Sequence, residues 1–253
     1  MIKWITRGRR NPPGPAPIEA DFDAQTDIGR QRDENQDAVL ADELPGGRVL
    51  LAVADGVGGS ADGAAASNAA IKALRAAVIA VNHPQHGLIE GFAAAHKAVL
   101  GLVSGEKRPA TTLVAAIAEG PRVWIANVGD SRAYLATQAG LRQLTEDHSW
   151  VAEQVRAGRL SSDEARTSSM RNVITRAVGT GESPAPDITG PIDLTPVDTL
   201  MLSSDGLHGV VPDQTIAVVL NGDYGEETAP TLIHLANEAG GPDNVSVVLY
   251  RAY

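Results

Sequence analysis

Arg48-Val-Leu-Leu-Ala-Val-Ala54, followed at once by Asp55-Gly56, decides the fold. The run is apolar almost throughout, so both faces of an extended chain there are apolar, and it predicts a strand buried on both sides. Such a strand needs a layer above it and a layer below it. The next apolar positions supply one layer. Ile71, Leu74, Val78 and Val81 recur three, four and three residues apart, which is one face of a helix. Leu88, Phe92, Ala95, Val99 and Leu102 repeat the pattern and predict a second helix. Upstream, Ala38–Ala41 is read as a strand.

Strand-like stretches follow at Thr111–Ala118, Arg122–Val128, Ser131–Ala136 and Leu141–Leu144, with Val128-Gly129-Asp130-Ser131 as a turn between two of them. Ser149–Gly158 and Ser161–Ser168 read as short polar helices, and Arg171–Gly179 as a small third element. Strands return at Asp187–Leu194 and Thr199–Ser203, helices at Asp213–Leu220 and Glu226–Ala239, and a Val-rich strand at Val245–Tyr250. Strands flanking helix pairs in this order suit two sheets covered by helices better than a doubly wound sheet. Residues 1–21 form a Pro-rich arm: Gly8–Pro17 holds four Pro and two Gly, and a flexible segment is expected. Its basic residues Lys3, Arg7, Arg9 and Arg10 read first as a solvated tail. Residues 22–253 are expected to form one domain.

Composition narrows the chemistry. In 253 residues, 21 Lys and Arg face 31 Asp and Glu, a net charge of −10. That balance disfavours nucleic acid and anionic membrane as partners. There is no Cys, which excludes disulfides, thiolate nucleophiles and Cys-ligated metals. No apolar run is long enough to span a membrane. The basic start lacks the apolar region of a signal peptide, so a cytoplasmic protein is expected.

Three carboxylates share a grammar. Leu50–Gly56 and Leu200–Gly206 are apolar strands ending in Asp55-Gly56 and Asp205-Gly206, and Pro242-Asp243-Asn244 precedes the last strand. Strand ends aim side chains rigidly, and Gly lets main chain approach an ion. Mg²⁺ and Mn²⁺ prefer such oxygen donors. A lone Asp-Gly reads first as a hairpin dipeptide, but the second strand-flanked example and Asp243-Asn244 bring a shared metal site level with that turn reading. Asp55–Ala61 also matches G-x-G-x-x-A, yet Asp55 would repel a pyrophosphate and no acid ends a second strand about 20 residues on. In the polar run Thr26–Ala38, Arg32 offers a planar fork for phosphate and Asp37 could hold a metal-bound water. His83 and His86 read as surface residues, His148 and His208 as structural or solvent-facing, and Trp124 as core or sheet surface.

Arg32-x-x-Asn35-Gln36-Asp37-Ala38, Ala54-Asp55-Gly56-Val57-Gly58-Gly59, Thr111-Thr112-Leu113, Asn127-Val-Gly129-Asp130-Ser131-Arg132, Ser203-Ser204-Asp205-Gly206 and Gly241-Pro242-Asp243-Asn244 occur in one order. Together they resemble the metal-dependent serine/threonine protein phosphatases of type 2C, the PPM family, in their compact bacterial form. The resemblance covers about Phe22 to Tyr253. It implies an α+β fold, a four-layer α-β-β-α sandwich of two stacked antiparallel sheets flanked by helix pairs. It implies two Mn²⁺ or Mg²⁺ ions, with Asp55 bridging them, the Gly56 carbonyl on one, and Asp205 and Asp243 completing the other. Asp130, with Asp205, would hold a third ion, Asp37 would act through water, and Arg32 would bind the substrate phosphate. Leu144 to Gly179 resembles the family's mobile, substrate-facing flap.

The implied reaction is hydrolysis of phosphoserine and phosphothreonine by a metal-bridging hydroxide, opposing a serine/threonine kinase, in a monomer. Where many relatives carry His, this chain has Ser60, so leaving-group protonation would come from water. Val57 and Gln36 stand where Met and Glu are also common. The alternatives are a catalytically weak regulator that binds phosphoproteins with the same fold, and a phosphoesterase for small molecules.

Overall fold

In the computed structural model the described residues are 20–57, 62–105, 108–222 and 225–253. The arm's residues 1–19 and the loop carrying Gly58, Gly59 and Ser60 lie outside them. The chain begins with β1 (Ala20–Asp27), β2 (Asp37–Leu44) and β3 (Arg48–Val57), then α1 (Asp62–Ile79) and α2 (Pro84–Leu100). Next come β4 (Ala110–Thr111), β5 (Leu113–Glu119), β6 (Arg122–Val128), β7 (Arg132–Thr137) and β8 (Gly140–Gln143). Two short helices, α3 (Trp150–Arg156) and α4 (Ser162–Thr167), precede β9 (Asp187–Asp193) and β10 (Thr199–Ser203). The end is α5 (Asp205–His208), α6 (Asp213–Leu220), α7 (Thr228–Glu238) and β11 (Val245–Ala252).

The strands form two sheets, ordered β1-β11-β10-β7-β8 and β2-β3-β5-β6-β9, with β4 paired to β3. Every pairing is antiparallel. Because β3 alternates faces, Leu50, Ala52 and Ala54 pack under α1 and α2, while Val49, Leu51 and Val53 point into the space between the sheets. There they meet Leu200, Leu202, Val248 and Tyr250 of the other sheet. The opposite face of that sheet, with Met201, Val247 and Leu249, is covered by Leu207, Ile216, Leu232 and Ala236 of α5, α6 and α7. The expected four layers are therefore present. No helix among the described residues is long and apolar enough to cross a membrane.

Local differences from the sequence reading have local causes. β1 starts at Ala20, inside the segment assigned to the arm, and pairs along its whole length with β11. The single strand expected over Thr111–Ala118 is broken at Thr112, which turns to bind Asp55. Arg171–Gly179 forms no helix or strand, only the bridges Ser149 to Ile174 and Thr111 to Val178. The four-residue α5 was not foreseen, being shorter than two turns. Trp124 is core, beneath the α1–α2 pair.

Candidate active site

The site lies at one end of the sandwich, where strand ends of both sheets meet. Antiparallel register sets Asp37 of β2 directly opposite Asp55 of β3. Like charges so placed repel unless a cation or proton intervenes. Asp55 lies within β3, two residues before its end. Thr112 grips its main chain from both sides: Asp55 N donates to Thr112 Oγ1 at 3.0 Å, and Thr112 N donates to the Asp55 carbonyl at 2.8 Å. Asp205 opens α5, one residue beyond the end of β10, and Asp130 sits in the buried turn that carries the chain from β6 in one sheet to β7 in the other. Asp243 precedes β11.

These five acids act on one another. Asp37 and Asp130 are each pushed up to about 7, first by burial and then, among their carboxylate neighbours, chiefly by Asp205. Asp205 rises to about 6, from burial and from Asp243. Asp55 rises well above the ordinary carboxylate range through burial and the charges of Asp37, Asp205, Asp130 and Asp243.

Serines hold Asp37 in place. Ser204 Oγ and Ser246 Oγ both donate to its Oδ2 at 2.7 Å, leaving Oδ1 buried with no partner among the described residues. Asp205 Oδ1 is likewise buried and has no partner among the described residues. Asp243 is satisfied differently, accepting from Arg32 Nη2 at 2.7 Å and from Asn244 N at 2.8 Å. Among the described residues no three His, Asp or Glu side chains already close around one point. Gly56 fits the same corner because a Cβ there would lie 2.4 Å from Gly63 of α1.

The donor set fits hard divalent cations. It consists of carboxylate oxygens and the Gly56 carbonyl, with orphaned, desolvated oxygens on Asp37 and Asp205. Divalent cations held there would favour the ionised form of each of these acids.

Asn244, in sequence only one member of a motif, organises the loop that carries Arg32. Its Oδ1 accepts from Gln36 N at 2.8 Å, and its Nδ2 donates to the Ile28 and Glu34 carbonyls at 2.9 Å each. Gly29, at φ +82°, lets that loop pass the Asp243 carbonyl, 2.2 Å from where a Cβ would stand. Arg132 chelates Asp147 through Nε and Nη2 and reaches Tyr134. Of the histidines, His83 and His86 sit at the exposed start of α2, His208 is half-buried against Tyr134, and His148 is buried beside the Asp130 turn.

A family model described as Protein phosphatase 2C matches residues 27–239. The chain belongs to the protein phosphatase 2C family. It is 36% identical over 243 residues to the serine/threonine phosphatase stp of Listeria welshimeri, covering 92% of this chain and 95% of that one. Among solved structures it is similar to the Streptococcus agalactiae serine/threonine phosphatase, with TM-score 0.87 and 31% identity over 93% of this chain and all of the other. The catalytic domain of PstP solved with two manganese ions gives TM-score 0.80 and 33% identity, over 92% of this chain and 98% of that one. The 2C family thus accounts for the paired sheets and flanking helices.

Proposed function

We propose that this chain is a metal-dependent protein serine/threonine phosphatase that hydrolyses phosphoserine and phosphothreonine in protein substrates supplied by an opposing kinase, acting as a monomer. The observation that carries this reading is the convergence of Asp37, Asp55, Asp130, Asp205 and Asp243 at one end of a 2C fold, with Arg32 at the rim. Asp55, the Gly56 carbonyl, Asp205 and Asp243 are assigned to two Mn²⁺ or Mg²⁺ ions, and Asp130 with Asp205 to a third. When bound, such ions polarise phosphoryl oxygens and acidify water.

The chain's own groups do the rest. Arg32, partly exposed, offers its fork to the phosphate and neutralises charge on the phosphoryl oxygens. Ser204 and Ser246 keep one oxygen of Asp37 occupied and the other free to orient water or accept its proton. Thr112 fixes the backbone from which Asp55 projects. With no Cys in the chain, direct attack by water needs no cysteinyl-phosphate.

The test is turnover of a phosphothreonine peptide. Chelation should abolish it and Mn²⁺ restore it, and Asp55→Asn and Asp243→Asn should each lower it by roughly 100-fold or more. Full turnover in EDTA, or equal rates in wild type and both variants, overturns the assignment.

A further inference from the structure

We propose that His148 is a positioning residue for the Asp130 turn, and that it ties this turn to the flap segment. The proposal rests on the reading above for the role of Asp130. It begins with a two-sided grip on Gly129, the residue before Asp130. Gly129 N donates to His148 Nδ1 at 3.0 Å, and His148 N donates to the Gly129 carbonyl at 3.0 Å. Both polar main-chain groups of Gly129 are thus bound by one residue, 19 positions away and only 4% exposed.

Gly129 also packs closely against Thr112, with no room for a side chain. Its φ is +108°, and a Cβ there would lie 2.6 Å from Thr112 Cβ. Thr112 is the residue that holds the Asp55 main chain. A contact chain therefore runs from His148 through Gly129 to Thr112 and Asp55.

The other side of the ring faces outward along a second chain. Because Nδ1 accepts from an N–H, it carries no proton, and the neutral imidazole holds its proton on Nε2. Burial keeps the ring below its ordinary pKa, which agrees with that form. Nε2 donates to Asp187 Oδ2 at 2.9 Å, at the start of β9. Arg176 Nη1 also stands 2.8 Å from Nε2, but both atoms bear protons, so its partner is Asp187 Oδ1 at 3.0 Å. Thr175 N donates to the His148 carbonyl at 2.8 Å, and Trp150 N to the Val173 carbonyl at 2.8 Å. Segment 173–176 of the flap region and the Asp130 turn thus share one hydrogen-bonded unit with His148 at its centre. Asp187 selects the tautomer that leaves Nδ1 free to accept.

Two side chains separate this role from mere filling of space. Asn places an acceptor near the position of Nδ1, and Gln near that of Nε2. The full chain is compared as wild type, His148→Asn, His148→Gln and His148→Ala. The readouts are amide exchange at Gly129 in EDTA and Mn²⁺ binding counted by electron paramagnetic resonance. His148→Asn should keep Gly129 protected and the weakest class of Mn²⁺ sites near wild type. His148→Gln and His148→Ala should each speed exchange and weaken that class, both by about ten-fold, with tighter sites unchanged. If His148→Ala does not fold, the Asn and Gln pair carries the comparison.

Gly129 exchange in His148→Gln as slow as in wild type overturns the proposal. So do equal losses of thermal stability in all variants with Mn²⁺ binding unchanged. Failure of the phosphatase reading looks different: wild type would not turn over phosphopeptide while the Gly129 exchange pattern held.

Discussion

The Arg32 guanidinium donates to the Asp243 carboxylate at 2.7 Å across 211 residues of sequence, joining the loop before β2 to the loop before β11 at the rim of the acidic cluster. Arg32 remains 43% exposed in this pair and Asp243 29%, so the fork can exchange one anion for another. A partly exposed pair of this kind is weak enough to open.

Arg32 is accordingly expected to act in phosphate binding. Arg32→Ala should raise KM for a phosphopeptide by about 10- to 100-fold, the loss of a charge-assisted contact of about 1.5–3 kcal/mol. Arg32→Lys should recover only part, because an ammonium lacks the planar fork. Steady-state kinetics at saturating Mn²⁺ checks this, and an unchanged KM in Arg32→Ala would refute it.

Metal-stripped protein should show the strain of the acidic cluster. Asp130, held near 7 when folded against an ordinary 3.8, binds more protons in the folded state than in the unfolded one between those values. Its contribution to stability is therefore lost as pH rises through that window. Desolvation holds His96, His148 and His208 below their usual value, and they pull the other way below about pH 6.5. The share of Asp130 is read as a difference. In EDTA, the Tm advantage of Asp130→Asn over wild type should grow from about pH 4 to about pH 7 and then level. A difference that shrinks with rising pH contradicts the shift.

Asn244→Ala should damage stability and substrate binding together. It removes the acceptor for Gln36 N and the donor to the Ile28 and Glu34 carbonyls, all around the Arg32 loop. A loss of about 2 kcal/mol is expected, which lowers Tm by about 4–8 °C in a domain of this size. KM should rise as well, because the loop no longer presents Arg32. Thermal melts and kinetics on one preparation test both, and a Tm loss with unchanged KM would separate the loop from substrate binding.

At the far end of the sandwich the same kind of change should be silent in activity. Tyr250 OH donates to the buried Gly120 carbonyl at 2.7 Å, linking the two sheets. Tyr250→Phe should cost about 1–3 kcal/mol and leave kcat/KM unchanged. A loss of activity at equal stability would show that this end communicates with the site.

Some elements are plain in the sequence. Thr199–Ser203 and Asp213–Leu220 fall where the pattern puts them, because each is bounded by turn residues and has one clear period. β1 was missed because Ala20–Asp27 is only half-buried and interleaves acids with small residues. It becomes a strand through its partner, β11. Thr112 looks like any strand residue until Asp55 is seen to need it.

Residue chemistry was settled by the chain itself: acids beside glycines at the ends of apolar runs, an arginine in a polar loop, no cysteine, and periods that build two sheets under helices. Those features are local, and local patterns survive without knowledge of neighbours. Which acids meet was decided only by folding. The Asp37–Asp55 register, the Arg32–Asp243 pair, the Asn244 clamp and the His148 grip on Gly129 all join residues far apart in sequence. Their energies depend on distance, burial and direction, which arise when strands pair across the sandwich and water leaves the space between.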